Sequence, residues 1–77
     1  MIMNLLEAPF LKNLRVLSLD RIPEESRIIL EQMGIFFGEE IEKLHIAPLG
    51  DPVAVRIGEQ AFSLRKNICE NLLVELC

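Results

Sequence analysis

The chain has 77 residues, of which 51% are apolar, and its twelve acidic and eight basic residues give a formal net charge of −4. One small domain with a thin core is expected at this length, and the acidic balance without a Lys/Arg cluster argues against nucleic acid and anionic lipid as partners. No apolar run approaches the 18 or more residues of a membrane span, and the first six residues lack a signal-peptide pattern, so we expect a cytoplasmic protein without direct membrane insertion.

The N-terminal part of the chain gives the weakest pattern. Residues 1–13 carry several apolar side chains, and we expect them to form a lid over one end of the fold. The following run, L-R-V-L-S-L-D, predicts the first strand at residues 14–20. Its apolar positions change face after Val16, which is typical of a strand bent by a bulge or buried on both faces.

From Ile22 the pattern changes to that of a helix of about ten residues. Pro23 is acceptable in a first turn, acidic residues follow it, and Gly34 is suited to the left-handed position that ends a helix. The apolar residues of this helix cover more than one narrow stripe, so at least one of them need not face the core. They are Ile28, Ile29, Leu30 and Met33.

Three more strands are predicted after the helix. They cover residues 39–46, residues 53–57 and, after the turn at residues 58–60, the run that contains Phe62 and Leu64. The loop A-P-L-G-D-P at residues 47–52 is a tight turn, because Pro fixes φ and Gly permits positive φ. Its tip carries Leu49, which either folds back onto the sheet or contacts another protein.

The C-terminal part predicts a helical turn at residues 66–71 and a last strand with Leu72, Val74 and Leu76 facing the core. The chain is thus mainly β: one small barrel domain, residues 1–77, of about five antiparallel strands with one inserted α-helix and a short C-terminal helical turn. The last strand must return beside the first to remove open edges. If residues 72–76 instead stay uncovered, they offer an edge for self-association, and the sequence leaves a homo-oligomer open.

Several segments resemble, in order and spacing, the FeoA family of small cytoplasmic proteins of ferrous iron uptake. They are L-E-Q-M-G-I-F-F-G (residues 30–38), A-P-L-G-D-P (47–52), V-A-V-R-I (53–57) and the ending F-S-L-R-K…L-L-V-E-L. The resemblance covers residues 28–76 and implies an SH3-like barrel. It also implies an accessory role beside FeoB, a membrane iron transporter with a cytoplasmic GTP-binding part. One departure is Lys43, which stands where an apolar residue is usual in the family.

The chemistry of the side chains agrees with a role without catalysis. The chain has no phosphate-binding loop of the G-x-x-x-x-G-K-[ST] type, and its one imidazole, His45, lies beside Ile46 in a predicted strand. Fe²⁺ or another transition metal remains conceivable, but one His and scattered Glu residues predict no ligand set. Cys69 and Cys77 lie eight residues apart without a metal-binding spacing, and we expect reduced thiols. We predict no enzyme, no catalytic or metal-binding residues and no required cofactor.

The leading hypothesis is therefore a binding module. Together with the four glycines, the apolar share exceeds the about 45–50% that is typical of soluble domains, and a thin core cannot bury the excess. Leu30, Met33 and Leu49 are the predicted exposed groups that dock onto the cytoplasmic part of an FeoB-type transporter. Two alternatives remain: an SH3-like module related to the C-terminal domain of metal-dependent transcriptional repressors, and a small iron-binding protein.

Overall fold

The fold is one antiparallel sheet of six strands, joined by two short helices. A computed structural model describes all 77 residues. The strands are β1 (Met3–Asn4), β2 (Asn13–Ser18), β3 (Glu40–Ile46), β4 (Val53–Ile57), β5 (Gln60–Leu64) and β6 (Leu73–Leu76), and the helices are α1 (Glu24–Gln32) and α2 (Lys66–Asn71). The strand order is β1-β6-β2-β3-β4-β5, and the sheet surrounds a core of fifteen buried residues. Neither helix has the length and apolarity that crossing a bilayer requires.

The mainly β architecture predicted from the sequence is confirmed. Strand β4 and helix α2 have the predicted bounds, and β6 returns beside β2. The change of face after Val16 is a bulge, because the pairing of β2 with β6 shifts register between Val16 and Ser18. A second shift, between Lys43 and His45, bends β3 against β4.

Helix α1 ends at the predicted glycine by a Schellman motif. Gly34 has φ of +93°, its N–H donates to the Glu31 carbonyl, and the N–H of Ile35 donates to the Leu30 carbonyl, both at 3.0 Å. Ile35 and Leu30 are both buried, which supplies the apolar contact that accompanies this motif. The motif fixes the direction in which the chain leaves α1.

Two expectations about the C-terminal strand are wrong. Strand β6 is not an uncovered edge, because the N-terminal residues form an unpredicted strand, β1, that pairs with it on the side away from β2. The edges of the sheet are therefore β1 and β5. Leu76 does not face the core either: it is 51% exposed at the end of the chain, whereas Leu72 and Val74 are fully buried.

Lys43 is buried and holds the N-terminal segment on the barrel. The side chain is 2% exposed, and its Nζ donates to the carbonyls of Leu6 at 2.7 Å and Ala8 at 2.9 Å. Nζ also lies 4.3 Å from the centroid of the Phe10 ring, within cation–π range. The Lys43 carbonyl accepts the N–H of Leu11 at 2.8 Å. Lys43 stands where the family usually has an apolar residue. Its charge is tolerated there because two carbonyls and the Phe10 ring replace the water that would otherwise solvate the ammonium.

The two cysteines should differ sharply in reactivity. Both thiols are free, but Cys69 is fully buried and Cys77 is exposed. Burial raises the pKa of Cys69 to about 11, while the nearby positive charge of Lys43 opposes the shift. Because the thiolate is the reactive form, iodoacetamide at pH 8 should alkylate Cys77 in the folded protein and leave Cys69 unmodified until denaturant is added. Peptide mass spectrometry measures this, and equal labelling of both thiols under native conditions would contradict the buried position of Cys69.

Candidate interaction surface

The A-P-L-G-D-P loop presents Leu49 to solvent on a fixed turn. The N–H of Ala47 donates to the Pro52 carbonyl at 3.0 Å, and the N–H of Gly50 donates to the Ala47 carbonyl at 2.8 Å. Gly50 has φ of +88°, which its missing Cβ permits. Leu49 is 97% exposed, so the alternative that it folds back onto the sheet is wrong.

The base of this loop is attached to helix α2. Asp51 accepts a hydrogen bond from the N–H of Lys66, the first residue of α2, through its Oδ1 at 3.0 Å. Helix α2 has no cap from its own N-cap residue, Arg65, so Asp51 supplies a capping acceptor from a distant part of the chain. The loop tip is thereby held at a defined place relative to β5 and α2.

Helix α1 divides its apolar side chains between core and solvent. Ile28 and Ile29 are 49% and 58% exposed, which confirms that the predicted helix has more apolar positions than the core accepts. Leu30 is the wrong choice for an exposed contact residue: it is 3% exposed, because it packs in the core beside Ile35 at the end of α1. Met33 is half-buried against the core.

An apolar groove runs between α1 and the β5–α2 corner. Ser26, Ser63 and Arg65 border it, and its apolar lining, which we refer to as the apolar groove, consists of Ile29, Leu30, Met33, Leu64 and Ile68. Arg65 also lines a neighbouring cleft with Asp51 and Pro52 of the loop. Arg65 thus links the groove to the base of the loop that carries Leu49. We refer to the apolar groove and Leu49 together as the contact surface.

Of the three residues that the sequence singled out, Leu49 lies exposed on the loop tip, whereas Met33 and Leu30 line the apolar groove, in which Leu30 is buried. Sequence reasoning did not single out Ile68, which is half-buried and lines the groove. It also missed Phe37, which is 76% exposed beyond the end of α1 and lines a separate depression with Arg27 and Glu31. The sequence feature that could have identified Phe37 is the pair of adjacent aromatic residues, Phe36 and Phe37, shortly after the glycine that ends α1.

The positions of the polar side chains bear on whether a metal-binding cluster is present. The structure contains no group of three or more His, Cys, Asp or Glu side chains that could hold a metal ion. His45 and Glu40 are exposed on β3, and Glu39, directly before this strand, is exposed as well. Glu42 accepts a hydrogen bond from Arg56 at 3.0 Å, in an ion pair across β3 and β4. These groups form a solvated polar face.

The electrostatics of the interior centre on one residue. Burial lowers the pKa of Lys43, and the neighbouring Cys69 opposes that shift. Every buried side-chain nitrogen and oxygen has a hydrogen-bond partner. The polar atoms of the interior are therefore satisfied by contacts within the fold.

Comparison with known proteins gives a consistent assignment. The sequence model of the FeoA domain family matches residues 3–76. The iron(II) transport protein A of Clostridium thermocellum is 35% identical, with a TM-score of 0.87, over 96% of this chain and 45% of that one. A FeoA-like protein of Clostridium acetobutylicum is 32% identical, with a TM-score of 0.82, over 97% of this chain and 86% of that one. No curated protein matches the chain.

A more distant likeness concerns the fold alone. ScaR with bound Zn²⁺ superposes with a TM-score of 0.84 at 19% identity, over 97% of this chain and 37% of ScaR. The manganese regulator SloR superposes with a TM-score of 0.82. These matches to regulator domains confirm the SH3-like architecture that the sequence predicted.

Proposed function

The chain belongs to the FeoA family, and from this premise we propose that it is a non-enzymatic accessory protein of ferrous iron uptake. It acts in the cytoplasm by contact with the GTP-binding part of an FeoB-type membrane transporter. The relative in Clostridium thermocellum is named an iron(II) transport protein, and another solved FeoA is named an iron uptake regulatory protein. A contact role fits both names, because a domain that regulates transport needs a docking surface and no reactive group.

The observation that carries this proposal is the exposure of Leu49. A leucine that is 97% exposed on a turn fixed by backbone hydrogen bonds loses its contact with water only when another molecule covers it. Full burial of such a side chain is worth about 1.5–3 kcal/mol. Because the turn is already ordered, little conformational entropy is lost on docking, and most of this free energy is available for binding.

The apolar groove supplies the second half of the contact. Ile29 and Met33 of α1 stand on one side of it, and Ile68 of α2 stands on the other. A bulky apolar side chain of the transporter can enter between the two helices while Leu49 contacts a neighbouring position. Two separate apolar contacts fix the orientation of the partner better than one does.

An NMR titration tests the proposal. The ¹⁵N-labelled chain is titrated with the unlabelled cytoplasmic GTP-binding part of an FeoB-type transporter, in the presence of nucleotide and Fe²⁺. We expect shifts concentrated at residues 47–50, at Ile29 and Met33, and around Ile68. The amides at the start of β3, near the exposed Glu40, should keep their positions and serve as the internal control.

The outcome distinguishes the transporter contact from iron binding and from a contact at a different surface. Unchanged spectra at saturating partner would refute the transporter contact. Shifts caused by Fe²⁺ alone, with stoichiometric binding in calorimetry, would instead support the alternative of a small iron-binding protein. Shifts on the polar face of β3 and β4, with none at Leu49, would show that a different surface makes the contact.

A further inference from the structure

Strand β5 is an edge of the sheet that carries no proline, no charge and no bulge. It pairs with β4 on one side and, as the last strand in the sheet order, has no partner on the other. Its residues, Q-A-F-S-L, include no proline and no charge, and its pairing with β4 shows no bulge. Natural edge strands commonly carry such features to prevent association. The opposite edge, β1, has only two residues.

The hairpin geometry decides which backbone groups of β5 face outward. Ile57 and Gln60 close a two-residue turn that has Gly58, with φ of +60°, at its first position. Such a closing pair exchanges hydrogen bonds, and bonded pairs alternate along an antiparallel ladder. Gln60, Phe62 and Leu64 therefore bond to β4. The N–H and C=O groups of Ala61 and Ser63 therefore point away from β4, and none of the backbone hydrogen bonds of turns, loops and caps uses them.

We propose that β5 pairs with β5 of a second copy of this chain, antiparallel and about a two-fold axis at Phe62. In this register, Ala61 of one copy lies opposite Ser63 of the second copy, and each pair exchanges two hydrogen bonds. The two symmetric pairs use all four outward N–H groups and all four outward C=O groups of the facing segments. The six-stranded sheets thereby join into one continuous sheet across the axis.

The charges beside β5 select this register. Glu59 precedes the strand and Arg65 follows it, both are exposed, and neither belongs to the one ion pair of the structure, between Glu42 and Arg56. With Phe62 at the axis, Glu59 of each copy lies opposite Arg65 of the other. Sliding the register by two residues in either direction separates these charges and leaves outward groups of Ala61 or Ser63 opposite turn or helix residues.

The side chains of β5 also suit a close approach. Ala61 and Ser63 are small and exposed, so they present no bulk to the incoming strand. The half-buried Phe62 packs against the core, and at the axis it lies beside Phe62 of the second copy on the same face. This pair covers apolar area that a single copy leaves open. A second copy therefore offers matched hydrogen bonds, matched charges and an apolar contact.

Sedimentation equilibrium of the full chain alone tests the proposal without any transporter. We expect a mass that rises with concentration toward twice 8.8 kDa. Ala61→Lys places a charge at the centre of the edge, and Ser63→Pro removes an outward donor that β4 does not use. Each variant should remain a monomer with an unchanged circular dichroism spectrum. Gln32→Lys, an exposed position on α1, adds the same charge elsewhere and should still dimerise.

Charge reversal tests the register. Glu59→Arg and Arg65→Glu should each weaken the dimer about tenfold, because each puts two like-charged pairs across the axis. The double variant restores opposite charges and should recover most of the affinity. Glu70→Arg, on the exposed face of α2, changes the net charge as Glu59→Arg does and should have little effect.

Hydrogen exchange gives a readout at single residues. In concentrated samples the amides of Ala61 and Ser63 should be protected, and on dilution they should exchange freely. A monomer at every concentration would overturn the proposal. The free edge of β5 would then be open only to pairing with a strand of a different protein. A dimer that persists in both Ala61→Lys and Ser63→Pro would also overturn it, because its interface would lie elsewhere. Ser63 and Arg65 also border the apolar groove, so these experiments use the chain in the absence of any partner.

Discussion

Replacement of Lys43 by alanine should lower the free energy of unfolding by about 3–5 kcal/mol, which is most of the stability expected for a domain of this size. The substitution deletes a long buried side chain and leaves a cavity. It also removes the donor from two carbonyls, those of Leu6 and Ala8, that the ammonium now satisfies. An unsatisfied buried acceptor costs about 1–3 kcal/mol. Urea unfolding followed by circular dichroism measures the change.

Lys43→Met separates the lost volume from the lost hydrogen bonds. Methionine fills much of the space but donates nothing, so we expect a loss of about 1–3 kcal/mol, less than for alanine because the cost of burying a charge is also removed. Lys12→Met, at an exposed position, should change stability by less than about 0.5 kcal/mol. Wild-type stability in Lys43→Met would show that the two carbonyl contacts do no more than offset the cost of burying the ammonium.

The pH dependence gives a second readout for Lys43. Its pKa is lowered in the folded state, so in the window between that value and the unfolded value of 10.5 the unfolded chain binds more protons. The contribution of Lys43 to the free energy of unfolding therefore rises with pH across that window. Cys69 acts in the opposite sense, since its pKa is raised by burial and stability falls between pH 9.0 and about 11. The difference in the free energy of unfolding between wild type and Lys43→Met reports the lysine together with its coupling to Cys69, and it should grow as pH rises toward 10.5.

Leu49→Asp should weaken binding to the GTP-binding part of the transporter at least about tenfold, equivalent to about 1.4 kcal/mol. The variant loses the apolar contact of the loop tip and places a carboxylate where the partner must exclude water. Because Leu49 is 97% exposed in the free chain, the free energy of unfolding should stay within about 0.5 kcal/mol of wild type. Isothermal titration calorimetry measures the affinity.

Ile2→Asp is the matched control for this loss. Ile2 is an aliphatic residue that is 64% exposed, and it lies outside the contact surface beside β1. The control carries the same added charge and should bind like wild type. Equal affinity of Leu49→Asp and wild type would remove Leu49 from the contact. Equal weakening by both variants would point to net charge as the cause, since the chain already carries −4.

Local chemistry explains why the helix and most strands were predictable. Gly34 ends α1 because its positive φ is cheap only for glycine, and this information lies within a few residues. The bulge after Val16 is visible as a change of apolar parity, because successive side chains of a strand alternate in direction. Strand β1 was missed because its two residues carry no period, and its position depends on pairing with Val74 and Leu73, some seventy residues away.

The contact surface was predictable only in part, because part of it depends on how distant segments of the chain pack together. Leu49 was identified because an apolar residue at the tip of a Pro/Gly turn conflicts with its local surroundings. Leu30 was misplaced because periodicity gives the apolar positions of a helix but not the rotation of the helix against the core. The role of Lys43 could be recognised only from the tertiary fold, since its hydrogen-bond partners lie 35 and 37 residues earlier in the chain.

Function by apolar contact with a transporter is tested most directly by calorimetric titration of the full chain against the transporter's GTP-binding part at several temperatures. Burial of Leu49 and the apolar groove predicts saturable binding with a negative change in heat capacity, which Leu49→Asp reduces. Absence of saturable binding at every temperature, with nucleotide and Fe²⁺ present, would contradict the proposed contact.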